Sequence, residues 1–81
     1  MTDDDIKSRI CDLFLDGDLE FPLAPDTQLL EEGICDSLGL LRLGLEIEKS
    51  NPGLRVRDQD VTRENFGSIA AIQAFLARNG R

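Results

Sequence analysis

An all-α fold is predicted for this chain: a small bundle of three main helices plus one short helix, with a long loop between helices 1 and 2. Three features carry that prediction. Apolar residues recur at helical spacing in three segments, no segment keeps the alternation of a strand, and the segments are separated by Asp-Gly, proline and Asn-Pro-Gly breaks. Eighty-one residues make a single domain, 1–81. A chain this short buries only about 60–65% of its unfolded surface, which leaves little room for an enclosed active site. The 41% hydrophobic fraction, with four Phe and neither Trp nor Tyr, is enough for a small helical core.

Thr2 to Leu15 has the features of the first helix. Thr2 is a cap candidate, and Asp3, Asp4 and Asp5 suit the positive end of the helix dipole. Ile6, Ile10, Leu13 and Phe14 fall on one face, and Asp16-Gly17-Asp18 ends the helix. Residues 16–36 then form the long connection, broken by Pro22 and Pro25. Its apolar residues Phe21, Leu23, Leu29 and Leu30 predict a loop that packs down. Asp26 to Glu31 is expected to form one helical turn, capped by Asp26 or Thr27.

Leu38 to Lys49 is the predicted second helix, ended by Asn51-Pro52-Gly53. The short helix is expected around Asp58 to Val61. The last helix starts near Gly67 or Ser68 and runs to Arg78, with Ile69, Ile72, Phe75 and Leu76 inside and Asn79-Gly80 as its stop.

The formal charge of −7 is unevenly spread. Met1–Asp36 holds eleven acids and two bases, net −9, whereas Ser37–Arg81 holds five acids and seven bases, net +2. The acidic half repels nucleic acid and anionic membranes and attracts basic protein surfaces. Cys11 and Cys35 form no Cys-x-x-Cys pair, and with no His in the chain no zinc set is expected. Two thiols of this kind suit a reducing, cytoplasmic location. No apolar run approaches the roughly 20 residues that span a bilayer, and Met1-Thr-Asp-Asp-Asp5 is unlike a signal peptide. A Met start with no linker at either end is expected for a free-standing, monomeric protein.

Glu31-Glu-Gly-Ile-Cys-Asp-Ser-Leu-Gly-Leu-Leu41 is the most informative segment. It places Ser37 where a leucine-rich helix begins. The first N–H groups of a helix have no internal partner, and the dipole there favours negative charge, so a phosphate attached at Ser37 would sit in a ready-made anion site. The plainer alternative is that Asp36 or Ser37 is only a helix cap, worth about 1 kcal/mol; capping and modification are compatible. A serine nucleophile needs a base, and without His a self-contained Ser-His hydrolase is excluded. Ser8, Ser50 and Ser68 lack the Asp-Ser-Leu frame at a helix start.

From about Ile6 to Leu76, with Asp36-Ser37-Leu38 at a helix start and Phe66-Gly-Ser-Ile69 opening a last helix, the chain resembles acyl and aminoacyl carrier proteins. The resemblance implies a non-catalytic shuttle. A phosphopantetheinyl transferase would esterify Ser37 with 4′-phosphopantetheine from coenzyme A, Asp36 helping to dock that enzyme or its metal-bound coenzyme A. The thiol of the arm would carry an acyl or aminoacyl group as a thioester from an amino-acid or acyl ligase to a downstream acceptor enzyme.

Helix 2 has two apolar faces at 100° per residue. Leu40, Leu43 and Ile47 form one, and Leu38, Leu41 and Leu45 lie nearly opposite. Either the helix is buried all round, or Leu40, Leu43 and Ile47 are core and the other three form an exposed stripe rimmed by Arg42, Glu48 and Lys49. The resemblance implies the second arrangement, with Leu38, Leu41, Arg42 and Leu45 binding partners. Gly39 and Gly44 would allow close approach of a partner or of a neighbouring helix.

Fatty-acid carriers usually show Gly-x-Asp-Ser-Leu and a strongly acidic second helix. Here Ile34 and Cys35 separate Gly33 from Asp36, and Arg42 and Lys49 join Glu46 and Glu48. The segment, together with Val61-Thr-Arg-Glu-Asn-Phe66, more closely resembles free-standing aminoacyl and D-alanyl carriers. The expected cargo is therefore an aminoacyl or specialised acyl group. A fatty-acid or polyketide acyl carrier and an unmodified helical adaptor remain the alternatives.

Overall fold

A computed structural model of the chain describes residues 1–79. It contains α1 (Asp3–Phe14), α2 (Ser37–Ser50), α3 (Arg63–Phe66) and α4 (Ile69–Asn79), with a 3-10 turn at Asp58–Asp60 between α2 and α3. No strand occurs among the described residues, so the protein is all-α, with three long helices, a short one and a long α1–α2 loop.

α1 starts where the cap chemistry places it. Thr2 Oγ1 accepts from the Asp5 N–H at 3.1 Å and Asp5 Oδ2 accepts from the Thr2 N–H at 2.9 Å, a reciprocal capping box. Those bonds favour the charged carboxylate and hold Asp5 below its ordinary pKa. The helix stops one residue before the predicted Leu15. The Leu15 and Gly17 N–H groups both donate to Cys11 O at 2.9 Å, and the chain reverses through Asp16 (φ 53°) and Gly17 (φ 78°). Ile6 and Ile10 are buried as predicted, but Leu13 and Phe14 are half-buried at the core margin, and Cys11 takes a fully buried place beside Ile10 in sequence.

The loop packs down. Leu23 and Leu29 are buried, and Phe21 and Leu30 lean on the core. Two backbone bonds tie it to the far side of the bundle: Leu29 N–H donates to Gly67 O at 2.8 Å, and Ala70 N–H donates to Pro25 O at 2.9 Å. The helical turn expected over Asp26–Glu31 lies slightly later and is a single one, Glu32 N–H donating to Gln28 O at 2.9 Å. Neither predicted cap serves it, because Thr27 Oγ1 accepts from the Ala24 N–H behind it and Asp26 offers its backbone carbonyl to Gln28 Nε2.

The short helix also lies later than the residues suggested. Asp58–Asp60 forms only a 3-10 turn, and the α-helical turn follows at Arg63–Phe66, where Thr62 Oγ1 accepts from the Asn65 N–H at 3.2 Å. α4 begins at Ile69, after Ser68, whose hydroxyl accepts from the Ala71 N–H at 3.1 Å and whose burial makes it part of the core. Gly80, half of the predicted stop, lies outside the described residues.

One core cluster joins all four helices and the loop. Phe66 and Phe75 pack with ring centroids 4.9 Å apart and planes tilted by 49°. Leu40, Leu43 and Ile47 are almost wholly buried, while Leu38 and Leu45 are 72% and 49% exposed, so the two apolar faces of α2 have different environments. No described helix is long and apolar enough to cross a membrane.

That division predicts unequal costs for leucine truncation. Leu43→Ala should cost about 2–5 kcal/mol, as core truncations do. Leu38→Ala or Leu45→Ala should change stability by no more than about 0.5 kcal/mol. Chemical denaturation measures both, and equal large losses at Leu43 and Leu45 would show that both faces are core.

Candidate functional site

The start of α2 is fixed by the loop before it. The Leu29 carbonyl accepts from both the Ile34 N–H, at 2.9 Å, and the Cys35 N–H, at 3.3 Å. Gly33 (φ 73°) supplies the left-handed turn that folds the chain back to make those bonds. Asp36 then caps the helix, its Oδ1 accepting from the Gly39 N–H at 2.8 Å and its carbonyl accepting from the Leu40 N–H at 3.0 Å.

With Asp36 as the cap, Ser37 is released from that role. It is the first helical residue, exposed, and its hydroxyl makes no hydrogen bond to any described residue. The other three serines are half-buried or buried. The Ser37 and Leu38 N–H groups are likewise unclaimed among the described residues, and the first turn of α2 carries no acidic side chain. A phosphodiester on Ser37 would stand at the positive end of a 14-residue helix, beside the Asp36 carboxylate that already caps it.

An open cleft of about 680 Å³ is lined in part by Asp36 and Leu38, the residues on either side of Ser37 in sequence. The end of α1 (Phe14), the Gly33–Asp36 loop and the first turns of α2 (Leu38, Gly39 and Arg42) form its walls. Gly39 makes that closeness possible. A Cβ there would lie 2.7 Å from Cys35 Cβ and 3.0 Å from Phe14 Cε1, nearer than packed carbons come. Gly44 plays the same part on the other side, where a Cβ would come within 3.3 Å of Val56 and Val61. Both glycines thus admit neighbours from within the chain.

The expected partner stripe is present with two changes. Leu38 and Leu45 are exposed, as are Arg42 and Lys49, but Leu41 is half-buried. Glu48 is not a rim residue. Its Oε2 accepts from the Val56 N–H at 2.7 Å, so it is half-buried and bound to the connector after α2. Helical spacing leaves Glu48 three residues beyond Leu45, and only the folded connector shows where its carboxylate goes.

Cys35 adjoins the site without offering a ready nucleophile. Burial, and then the neighbouring Asp36 carboxylate, push its thiol pKa up, so it stays protonated at neutral pH. Burial pushes Cys11 up as well, and both thiols are free. Among the described residues no group of three or more His, Cys, Asp or Glu side chains is arranged to hold a metal.

Asp36, Leu38 and Arg42 share the cleft wall, with Ser37 between the first two in sequence and Leu45 about one helical turn beyond Arg42. Phe14, Ile34 and Gly39 belong to the same site and were not expected there. Phe14 had one legible signal, its place at the end of the apolar face of α1, but only the packing of α1 against α2 brings it against Gly39 in the cleft wall. No family model and no curated protein matches this chain.

The capping geometry predicts how Asp36 variants behave. Asp36→Ala should lose about 1 kcal/mol of stability, whereas Asp36→Asn, which caps as well, should lose little. Denaturation midpoints of the two variants compare them; a loss as large in Asn as in Ala would mean that charge, and not the hydrogen bond to Gly39, holds the helix start.

Proposed function

We propose that this protein is a carrier: it holds an aminoacyl or acyl group on a 4′-phosphopantetheine arm at Ser37 and presents it to separate enzymes. The observation that carries the reading is the division of labour between neighbours. Asp36 takes the cap, which leaves Ser37 as the one exposed serine, its hydroxyl free, at the head of a 14-residue helix. The resemblance of Asp36-Ser37-Leu38 to carrier attachment segments supports it.

When bound, the arm supplies the thiol that holds the cargo as a thioester. The chain's own residues do the rest. The helix N-terminus receives the phosphate, Asp36 keeps that terminus in place, and Leu38, Leu41, Arg42 and Leu45 meet the enzymes that act on the arm. Those enzymes are a phosphopantetheinyl transferase, an amino-acid or acyl ligase and an acceptor enzyme. Tethering raises the cargo's effective concentration at each of them to about the mM range. In this reading the protein is a cytoplasmic monomer without catalysis of its own; two free thiols suit that compartment.

Mass spectrometry after incubation with coenzyme A and a transferase should show one added phosphopantetheine. Ser37→Ala should abolish the addition and keep the fold, because Asp36 still caps the helix. Persistence of the addition in that variant would refute Ser37 as the site. No addition to the wild-type chain would favour the unmodified adaptor.

The cargo follows from Arg42 and Lys49, which leave the helix beside the arm without the acidic face that fatty-acid enzymes use. An adenylating amino-acid ligase with ATP should load the modified protein better than a malonyltransferase loads it with malonyl groups. Efficient malonyl loading with no aminoacylation across a broad ligase panel would turn the assignment to fatty-acid or polyketide synthesis.

A further inference from the structure

The exposed stripe of α2 has a polarity opposite to that of the protein as a whole. Leu38, Arg42, Leu45 and Lys49 follow one another at i, i+4, i+7 and i+11, so they occupy one narrow line along the helix. All four are exposed. Each cation is free: the ion pair among the described residues is Arg63 with Glu31, at 3.6 Å, and involves neither Arg42 nor Lys49. The acid that would neutralise Lys49 from the adjoining position, Glu48, is committed to the Val56 N–H. Glu46, four residues after Arg42 and three before Lys49, is half-buried and makes no ion pair with either among the described residues. The surface that remains is two leucines interleaved with two cations that make no ion pair among the described residues, on a chain of net charge −7.

We infer that this stripe docks a protein partner that presents carboxylates around an apolar anchor. Charge complementarity selects that occupant. A basic partner would meet Arg42 and Lys49 directly and be repelled, and would be drawn instead to the acidic half of the chain, Met1–Asp36, at net −9. An apolar side chain of the partner would rest on Leu38 and reach the cleft floor at Phe14 and Ile34, which opens beside the same helix turn. The carrier reading enters only in naming the partner: it would be an enzyme acting on the arm at Ser37, which adjoins Leu38.

Two synthetic helical peptides test the inference on the intact protein. Both carry a leucine face; one flanks it with glutamates, the other with lysines. At low salt the glutamate peptide should shift the amide resonances of Leu38, Arg42, Leu45 and Lys49. Its affinity should fall about tenfold or more in Arg42→Glu/Lys49→Glu, whose exposed positions leave the core untouched. The effect should fade as salt shortens the Debye length below about 10 Å. The lysine peptide should shift residues of α1 and the loop instead. Lysine-peptide binding at the stripe, or no stripe shifts with the glutamate peptide, overturns the inference. Stripe shifts produced only by phosphatidylglycerol vesicles would overturn it too, and assign the cations to a membrane surface. Failure of transferase modification at Ser37 refutes the carrier reading alone, since peptide mapping reads the stripe without the arm.

Discussion

The arrangement of this protein depends on Leu29. Its side chain is fully buried in a loop, where most residues are solvated, and its backbone is used at both ends. Its N–H donates to Gly67 O at the junction of α3 and α4, while its carbonyl accepts from the Ile34 and Cys35 N–H groups just before α2. One residue therefore links the last half of the bundle to the start of the helix that carries Ser37. Burying a leucine of this size contributes about 1.5–3 kcal/mol. Without this anchor the 22-residue connection between α1 and α2 would have little to fix where α2 begins.

Position at the head of α2 is what makes Ser37 distinct. A serine at a helix start usually spends its hydroxyl on the cap. Here Asp36, one residue earlier, takes that role, and Ser37 is left outward with its hydroxyl uncommitted. The neighbouring thiol does not compete chemically, because burial and the Asp36 carboxylate keep Cys35 protonated. An exposed hydroxyl and unclaimed N–H groups next to a cleft are the features that the proposed attachment uses.

The same helix faces two ways for a physical reason. α2 sits between α1 and the connector that follows it, and Gly39 and Gly44 let both approach to van der Waals contact. Leu40, Leu43 and Ile47 point between them and are buried. Three long helices cannot enclose the whole circumference of one of their number, so Leu38 and Leu45 stay in solvent. Glu48 is drawn from that outer face by its hydrogen bond from the Val56 N–H, and this leaves Arg42 and Lys49 in charge of it.

Much of this was legible in the residues. The helical periods, the Thr2 cap, the breaks at Asp16-Gly17 and Asn51-Pro52-Gly53, and the singular setting of Ser37 are local properties, set by side-chain chemistry within a turn or two. Spacing marks both faces of α2 and helix number limits burial to one, but packing against α1 and the connector decided which. The short helix expected around Asp58 to Val61 is there as a 3-10 turn at Asp58–Asp60, but the α-helical turn after it at Arg63–Phe66 was not foreseen, because it is held by the burial of Phe66 against Phe75, a contact between helices. Cys11 in place of Leu13 in the core, Phe14 and Ile34 in the cleft wall, the purpose of the two glycines and the capture of Glu48 by Val56 were decided only by tertiary structure. Each depends on which surface meets which across the bundle, and that is fixed by long-range packing and backbone hydrogen bonds such as those of Leu29, which local sequence does not encode.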